Sequence, residues 1–446
     1  MNCLAIELSA QKLAPPKWGP PMTYKRFAAA VAAFTTLVNA ANAQTNALNA
    51  GDTAWVLAAT CLVILMTIPG LALFYGGLVR KKNVLSTLMQ SFAACCLVSI
   101  LWIIAGYSLA FSGQGIFLGD TNQLFLSALT KDALIGTIPE TLFMVFQMSF
   151  AIITPAVICG AFADRMKFSA LLWFLGAWLM LVYVPVAHWV WGGGFLAKMG
   201  FLDFAGGTVV EINSGVAGLV AALMIGKRRG FPQENMVPHN LILSVTGAGL
   251  LWVGWLGFNG GSALAANSTA AFALANTQIA GAAAALVWMG FEWYLHKRPS
   301  VLGIISGAVA GLVAITPACA YVSPMGAMVV GAAAGAICLY FATSVKRRFG
   351  YDDSLDVFGV HGIGGIVGVL GIGVLGSQSW GGTAGLIEGS AQQLFIQVEG
   401  IIVVAAWCAV ISYAILKVID ATIGLRVSKD IEIEGLDLNL HGEVVP

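Results

Sequence analysis

The sequence predicts an all-α integral membrane protein, and three observations carry that prediction. Of the 446 residues, 59% are hydrophobic and only 10% charged, against about 25% charged in a soluble domain. Mean hydropathy is +0.86. About eleven apolar stretches long enough to cross a bilayer follow one another from Trp55 onward. The 53 glycines let helix backbones approach closely, so the expected object is a tightly packed helical bundle. The formal charge of +1, with basic residues in short scattered clusters, argues against a nucleic-acid surface.

Residues 1–21 contain Pro15, Pro16, Pro20 and Pro21, show no periodicity, and read as a disordered extension or an upstream-start artefact. Met22 opens a signal-peptide pattern over 22–43: Lys25 and Arg26, an apolar run from Phe27 to Val38, and a cleavage site at Ala41, Asn42 and Ala43. An uncleaved anchor is the alternative reading of this stretch. The transmembrane domain is expected over 44–418 and a cytoplasmic tail over 419–446.

The expected spans run approximately 54–78, 84–112, 139–163, 168–188, 207–225, 240–260, 274–294, 301–318, 326–344, 358–376 and 394–418. Basic clusters follow every odd-numbered span up to the ninth: Arg80 to Lys82, Arg165 and Lys167, Lys227 to Arg229, Lys297 and Arg298, and Lys346 to Arg348. The intervening loops carry only Lys131 and Lys198 as cations, so the positive-inside rule places the odd exits in the cytoplasm. An odd number of spans then leaves the N-terminus outside and the tail inside.

Two spans carry a titratable residue amid glycine: GGTVVEINSG around Glu211 and DVFGVHGIGG around His361. A charge at the bilayer centre costs about 2.5–3.5 kcal/mol or more and marks a pore, a partner or a proton path. Packing of Glu211 as a capped or neutral carboxyl is the structural alternative. Matching polar interruptions in the fifth and tenth spans point to an inverted repeat of five plus five helices, with a C-terminal helix outside it and the site at the repeat interface. Glu211 and His361 would then face one another as a proton-sharing pair.

Asp203, in LDFAGG, suits an N-cap for the helix starting near Gly206; a cation attractor at the outer mouth is the other reading. Trp191 is a membrane-interface tryptophan or a cation–π wall. Phe150 and Phe258, near Gln147 and Ser262, read as packing when taken alone. The eight cysteines show no CxxC or Cys/His spacing, so neither a metal nor a disulfide framework is signalled. GxSxG, HExxH and Walker A patterns are absent, no cofactor is implied, and an enzyme is not expected.

The stretches AHWVWGGG, LDFAGGTVVEIN, GWLGFNGGS, TPACAYV and DDSLDVFGVHGIGG occur in the order and spacing of the ammonium transporter family, the Amt, Mep and Rhesus proteins. TIPGLALFYGGLVRKKNVLS and GLRVSKDIEIEGLDLNLHGE resemble the bacterial Amt proteins in particular, and the resemblance covers about residues 50–443. It implies eleven transmembrane helices, a homotrimer in the bacterial inner membrane, and one substrate pore per protomer. By position, the family's recruitment site falls on Phe150, Trp191 and Ser262, its phenyl gate on Phe150 and Phe258, its structural aspartate on Asp203, and its paired pore histidines on Glu211 and His361. The first of that pair departs from the common pattern and resembles a subset of fungal members.

The resemblance implies that ammonium is recruited as the cation and deprotonated near the gate. Ammonia then crosses a hydrophobic pore while the proton passes through Glu211 and His361. The rival expectations are an ammonium sensor signalling through a PII-type partner, and a Rhesus-like gas channel without current. A PII-type regulator would use the cytoplasmic vestibule, loops such as 346–353, and the tail.

Overall fold

In the computed structural model the described residues are 47–234 and 236–445, so the expected extension and signal peptide lie outside them. Among the described residues ten helices are long and apolar enough to span: α1 (Ala50–Leu78), α2 (Lys81–Phe111), α3 (Glu140–Phe162), α4 (Phe168–Lys198), α5 (Gly207–Ile225), α6 (Leu241–Gly261), α7 (Ser268–His296), α9 (Pro324–Phe349), α10 (Phe358–Leu375) and α11 (Ala391–Thr422). The shorter apolar helix α8 (Val301–Ile315) completes the eleven expected from hydropathy. Among the described residues the only strand pair is Leu134–Ile135 against Ile138–Pro139.

Several helices outrun the apolar stretch that announced them. The seventh span was expected over 274–294, but the Asn267 side chain accepts a hydrogen bond from Ala270 N at 3.0 Å and starts α7 at Ser268. The fourth was expected to end at 188; its helical path instead breaks at Trp191 and resumes over Phe195–Lys198. The eleventh continues past 418 to Thr422. Hydropathy marks what faces lipid, whereas backbone hydrogen bonding continues wherever a cap or a packing partner allows it.

The halves of the bundle are related through α5 and α10. Each enters on a π-helical turn, Gly207–Ile212 and Phe358–Gly362, and continues as α-helix over Asn213–Ile225 and Ile363–Leu375. α5 leaves the bundle into the basic loop at Lys227, and α10 begins beside the same loop. The two therefore run in opposite directions, as an inverted repeat requires.

The loops after α1, α3, α5 and α9 meet on one basic face. Arg80 pairs with Asp164 at 3.0 Å and Arg228 with Asp352 at 2.8 Å. The buried Arg165 donates to the carbonyls of Gly226 (2.9 Å) and Asp352 (2.5 Å) and to Ser354 Oγ (2.5 Å). Burial pushes its guanidinium down to about 10, still protonated at neutral pH.

The tail folds back onto this face. Arg426 pairs with the buried Glu432 at 2.8 Å, just before and within the short helix α12 (Lys429–Glu434). Asp437 then accepts from Leu85 N (3.0 Å) and Ser86 N (2.8 Å) at the first turn of α2, and the His441 ring stands against Phe168. A carboxylate suits a helix N-terminus, so the tail is anchored by a cap.

Candidate functional site

The entry to α5 is built by Asp203 and Gly206. Gly206 has φ +115°, a conformation that side chains with a Cβ rarely adopt, and it lets the chain turn sharply into the helix. Asp203 Oδ1 accepts from Gly206 N (2.8 Å) and Gly207 N (2.7 Å). Its Oδ2 accepts from Thr208 N at 2.7 Å and from the Thr208 hydroxyl. Both oxygens are thus taken by the helix start, the geometry of a cap.

That start carries Glu211 into the bundle. Its Oε2 lies 2.7 Å from Nδ1 of His361, and both residues are buried. The two helices come this close because Gly215 faces Gly362: a Cβ on Gly215 would stand 2.2 Å from the Gly362 Cα.

Glu211 and His361 line a narrow chamber of about 10 Å³, room for about one water-sized molecule. Its other walls are apolar and include Val157, Val210, Leu251 and Phe258. His361 also lines a second cavity of about 670 Å³ at the basic face, whose wall holds Arg228, Glu234, Glu292, Lys346 and Asp356. Glu211 faces only the first chamber, so His361 stands at the boundary between the two.

Above the chamber, the rings of Phe150 and Phe258 stack at 4.2 Å between centroids, tilted by 33°, and both are buried. Trp191 stands edge-on to Phe150 at 5.8 Å and donates from Nε1 to the Asp203 carbonyl at 2.9 Å. Ser262 caps the C-terminal end of α6, four residues beyond Phe258, and its hydroxyl donates to the Phe258 carbonyl at 2.8 Å. The structure therefore brings Phe150, Phe258 and Trp191 into one aromatic cluster, with Asp203 behind it and the Glu211–His361 pair below.

Four further residues belong to this neighbourhood and escaped sequence reasoning. Trp255 lines the chamber and donates to Thr316 Oγ1 at 2.7 Å. Tyr75 lines the larger cavity and donates to the Val157 carbonyl at 3.0 Å. His188 has its ring nitrogens 2.8 Å and 2.7 Å from the carbonyls of Ala110, at the end of α2, and Gly115, in the loop that follows it. Asp353 Oδ2 accepts from Phe358 N at 2.7 Å and caps α10. Only Asp353 left a signal in the sequence: it stands eight residues before His361, as Asp203 stands eight before Glu211. Among the described residues no cluster of His, Cys, Asp or Glu is placed to hold a metal ion.

Among the described residues, eleven apolar helices enclosing a small, mostly apolar chamber with a buried acid–imidazole pair define a multi-pass membrane protein. Residues 54–445 match the profile of the Ammonium Transporter Family, and the chain belongs to that family. An ammonium transporter of Aquifex aeolicus (strain VF5) is 49% identical over 403 residues, 89% of this chain and 93% of its own. The crystal structure of Candida albicans Mep2 superposes with a TM-score of 0.80 at 34% identity, covering 86% of this chain and 87% of that one. A solved structure described as a Sensor Amt Protein matches with a TM-score of 0.81 at 27% identity, covering 88% and 98%. The family is one of transporters, not enzymes.

Proposed function

We propose that this protein carries ammonium across the membrane by stripping it of a proton at the outer mouth and passing ammonia through the chamber, with the proton relayed by Glu211 and His361. The observation that carries this reading is the 2.7 Å contact between their side chains inside an otherwise apolar chamber. Ammonium and potassium are close in size, so a pore diameter alone discriminates poorly. A chamber with room for about one water-sized molecule demands desolvation, which costs a permanent ion heavily. Ammonium escapes that cost by leaving its proton behind.

In this reading Trp191 and Phe150 offer aromatic faces to the arriving cation, Ser262 offers a hydroxyl oxygen, and the Phe150–Phe258 stack is the gate. Asp203 holds the start of α5, so its part is structural. The proton passes from Glu211 Oε2 to His361 Nδ1 and leaves toward the larger cavity, which His361 also lines.

The basic face is cytoplasmic by the positive-inside rule, which places the tail inside and the Trp191 mouth outside. A bacterial inner membrane, a homotrimer and a signal peptide over 22–43 complete the proposal. The cavity of about 670 Å³ suits an inserted loop of a PII-type regulator. A sensor reading is favoured by one observation, the likeness to the Sensor Amt Protein.

Reconstitution into vesicles tests the set. Current evoked by ammonium together with ammonia flux supports the transporter. Flux without current indicates a gas channel, and neither, with ammonium still bound, indicates a sensor.

A further inference from the structure

The two helix-capping aspartates occupy equivalent places and differ in one respect. Asp203 has both oxygens saturated by donors of the α5 start. At Asp353, Oδ2 holds Phe358 N and the Val357 N–H also favours the ionised carboxyl, while among the described residues Oδ1 is buried without a hydrogen-bond partner of regular geometry. The residue is 1% exposed. A bare buried carboxylate oxygen is costly, and a proton relieves that cost.

We propose that Asp353 is a protonation-sensitive positioning residue for His361: its carboxylate fixes the first turn of the helix that carries the imidazole, and a proton on the bare oxygen loosens that turn. Phe358, whose N–H is capped, lies three residues before His361. An ionised carboxylate is a stronger acceptor for that N–H than a neutral carboxyl. Loosening the turn lengthens the Glu211–His361 contact and slows the proton transfer that carries the current. The proton is exchanged with solvent on the basic-face side, where the neighbouring Ser354, Leu355 and Asp356 line the larger cavity.

The titratable and charged groups facing Asp353 are Lys346 of α9, Asp356 of its own loop, and the hydroxyls of Tyr75 on α1 and Tyr351. Lys346 and Asp356 are paired with each other at 2.7 Å, so their opposite influences on Asp353 partly cancel. Burial is the largest influence, and it pushes the Asp353 carboxyl up to about 6.

This inference rests on the Glu211–His361 relay, and the test separates the two. Ammonium-evoked current is recorded on the full chain in vesicles with the pH on the basic-face side stepped from 5 to 8. Wild-type current is expected to fall on the acid side with a midpoint near 6. Asp353→Asn is a neutral acceptor that cannot titrate, so its current is expected to stay at the low acid-side level across the whole range, without a limb; Asp353→Glu retains the limb. A profile of Asp353→Asn that superimposes on wild type, or a wild-type profile without an acid limb, overturns the proposal and leaves the relay standing. Absence of wild-type current at every pH removes the relay and this inference together.

Thermal unfolding supplies the second readout. A carboxyl raised in the fold contributes stability below its unfolded value that is lost as pH rises through about 6. Asp353→Asn should therefore melt about 2 °C above wild type at pH 8, with the gap closing below pH 5. A gap independent of pH, or failure of this variant to fold, overturns the proposal.

Discussion

Gly215 of α5 and Gly362 of α10 meet so closely that a Cβ on the first would lie 2.2 Å from the Cα of the second. Glu211 stands one helical turn before Gly215, and His361 is the neighbour of Gly362. The crossing of two glycines is thus what sets the 2.7 Å contact between carboxylate and imidazole.

Replacing Gly215 with alanine forces backbone against backbone, because no flexible side chain is available to yield. The expected cost is about 1–3 kcal/mol, the usual range for overpacking. The melting temperature in detergent should fall, and ammonium transport should fall further than stability accounts for. A fully stable, fully active Gly215→Ala protein contradicts the geometry.

Glu211→His creates an imidazole pair and changes the proton affinity of the first group of the proposed relay, since an ordinary carboxyl titrates near about 4.3 and an imidazole near about 6.5. The pH dependence of ammonium-evoked current should shift relative to wild type. Superimposable profiles argue that Glu211 does not carry the proton.

Phe258→Ala removes one ring of the Phe150–Phe258 stack, the proposed gate, and opens the chamber wall. Discrimination against potassium should drop at least about tenfold, read as potassium-driven current beside the ammonium current, because the ion no longer has to shed all its water. Unchanged selectivity assigns Phe258 to packing alone.

Asp352→Asn tests the basic face. Burial alone would raise the Asp352 carboxyl, but the bonded Arg228 guanidinium holds it below the ordinary carboxylate value. A depressed carboxyl contributes stability above its unfolded value of about 3.9 that is lost as pH falls through the folded one. Breaking the pair should cost about 3–5 kcal/mol at pH 7. The difference from wild type, measured by thermal unfolding, should shrink as pH drops below about 4. Equal losses at pH 7 and pH 3 contradict this.

The bundle was legible because lipid-facing helices must be apolar along their length, so spans such as Gly207–Ile225 could be bounded from hydropathy alone. Glu211 and His361 were legible for the opposite reason, as charges where lipid forbids them. Trp255 and Tyr75 were not, since an aromatic residue in an apolar helix looks the same whether it faces a chamber or a neighbour. His188 contacts the backbone carbonyls of Ala110 and Gly115, at the end of α2 and just after it and more than seventy residues away, a partnership no local pattern encodes. The extension of α7 to Ser268 and the re-entry after Trp191 depended on caps and turns that hydropathy does not weigh.

The central claim is that the Glu211–His361 pair carries the proton that ammonium leaves behind. The charge moved per ammonia delivered, measured as current and flux on the same vesicles, tests it most directly. The account predicts about one elementary charge per ammonia in wild type, since each ammonium brings one proton. In Glu211→Ala it predicts a ratio close to zero with ammonia flux retained. A ratio unchanged by the substitution would place the proton route elsewhere and contradict the account.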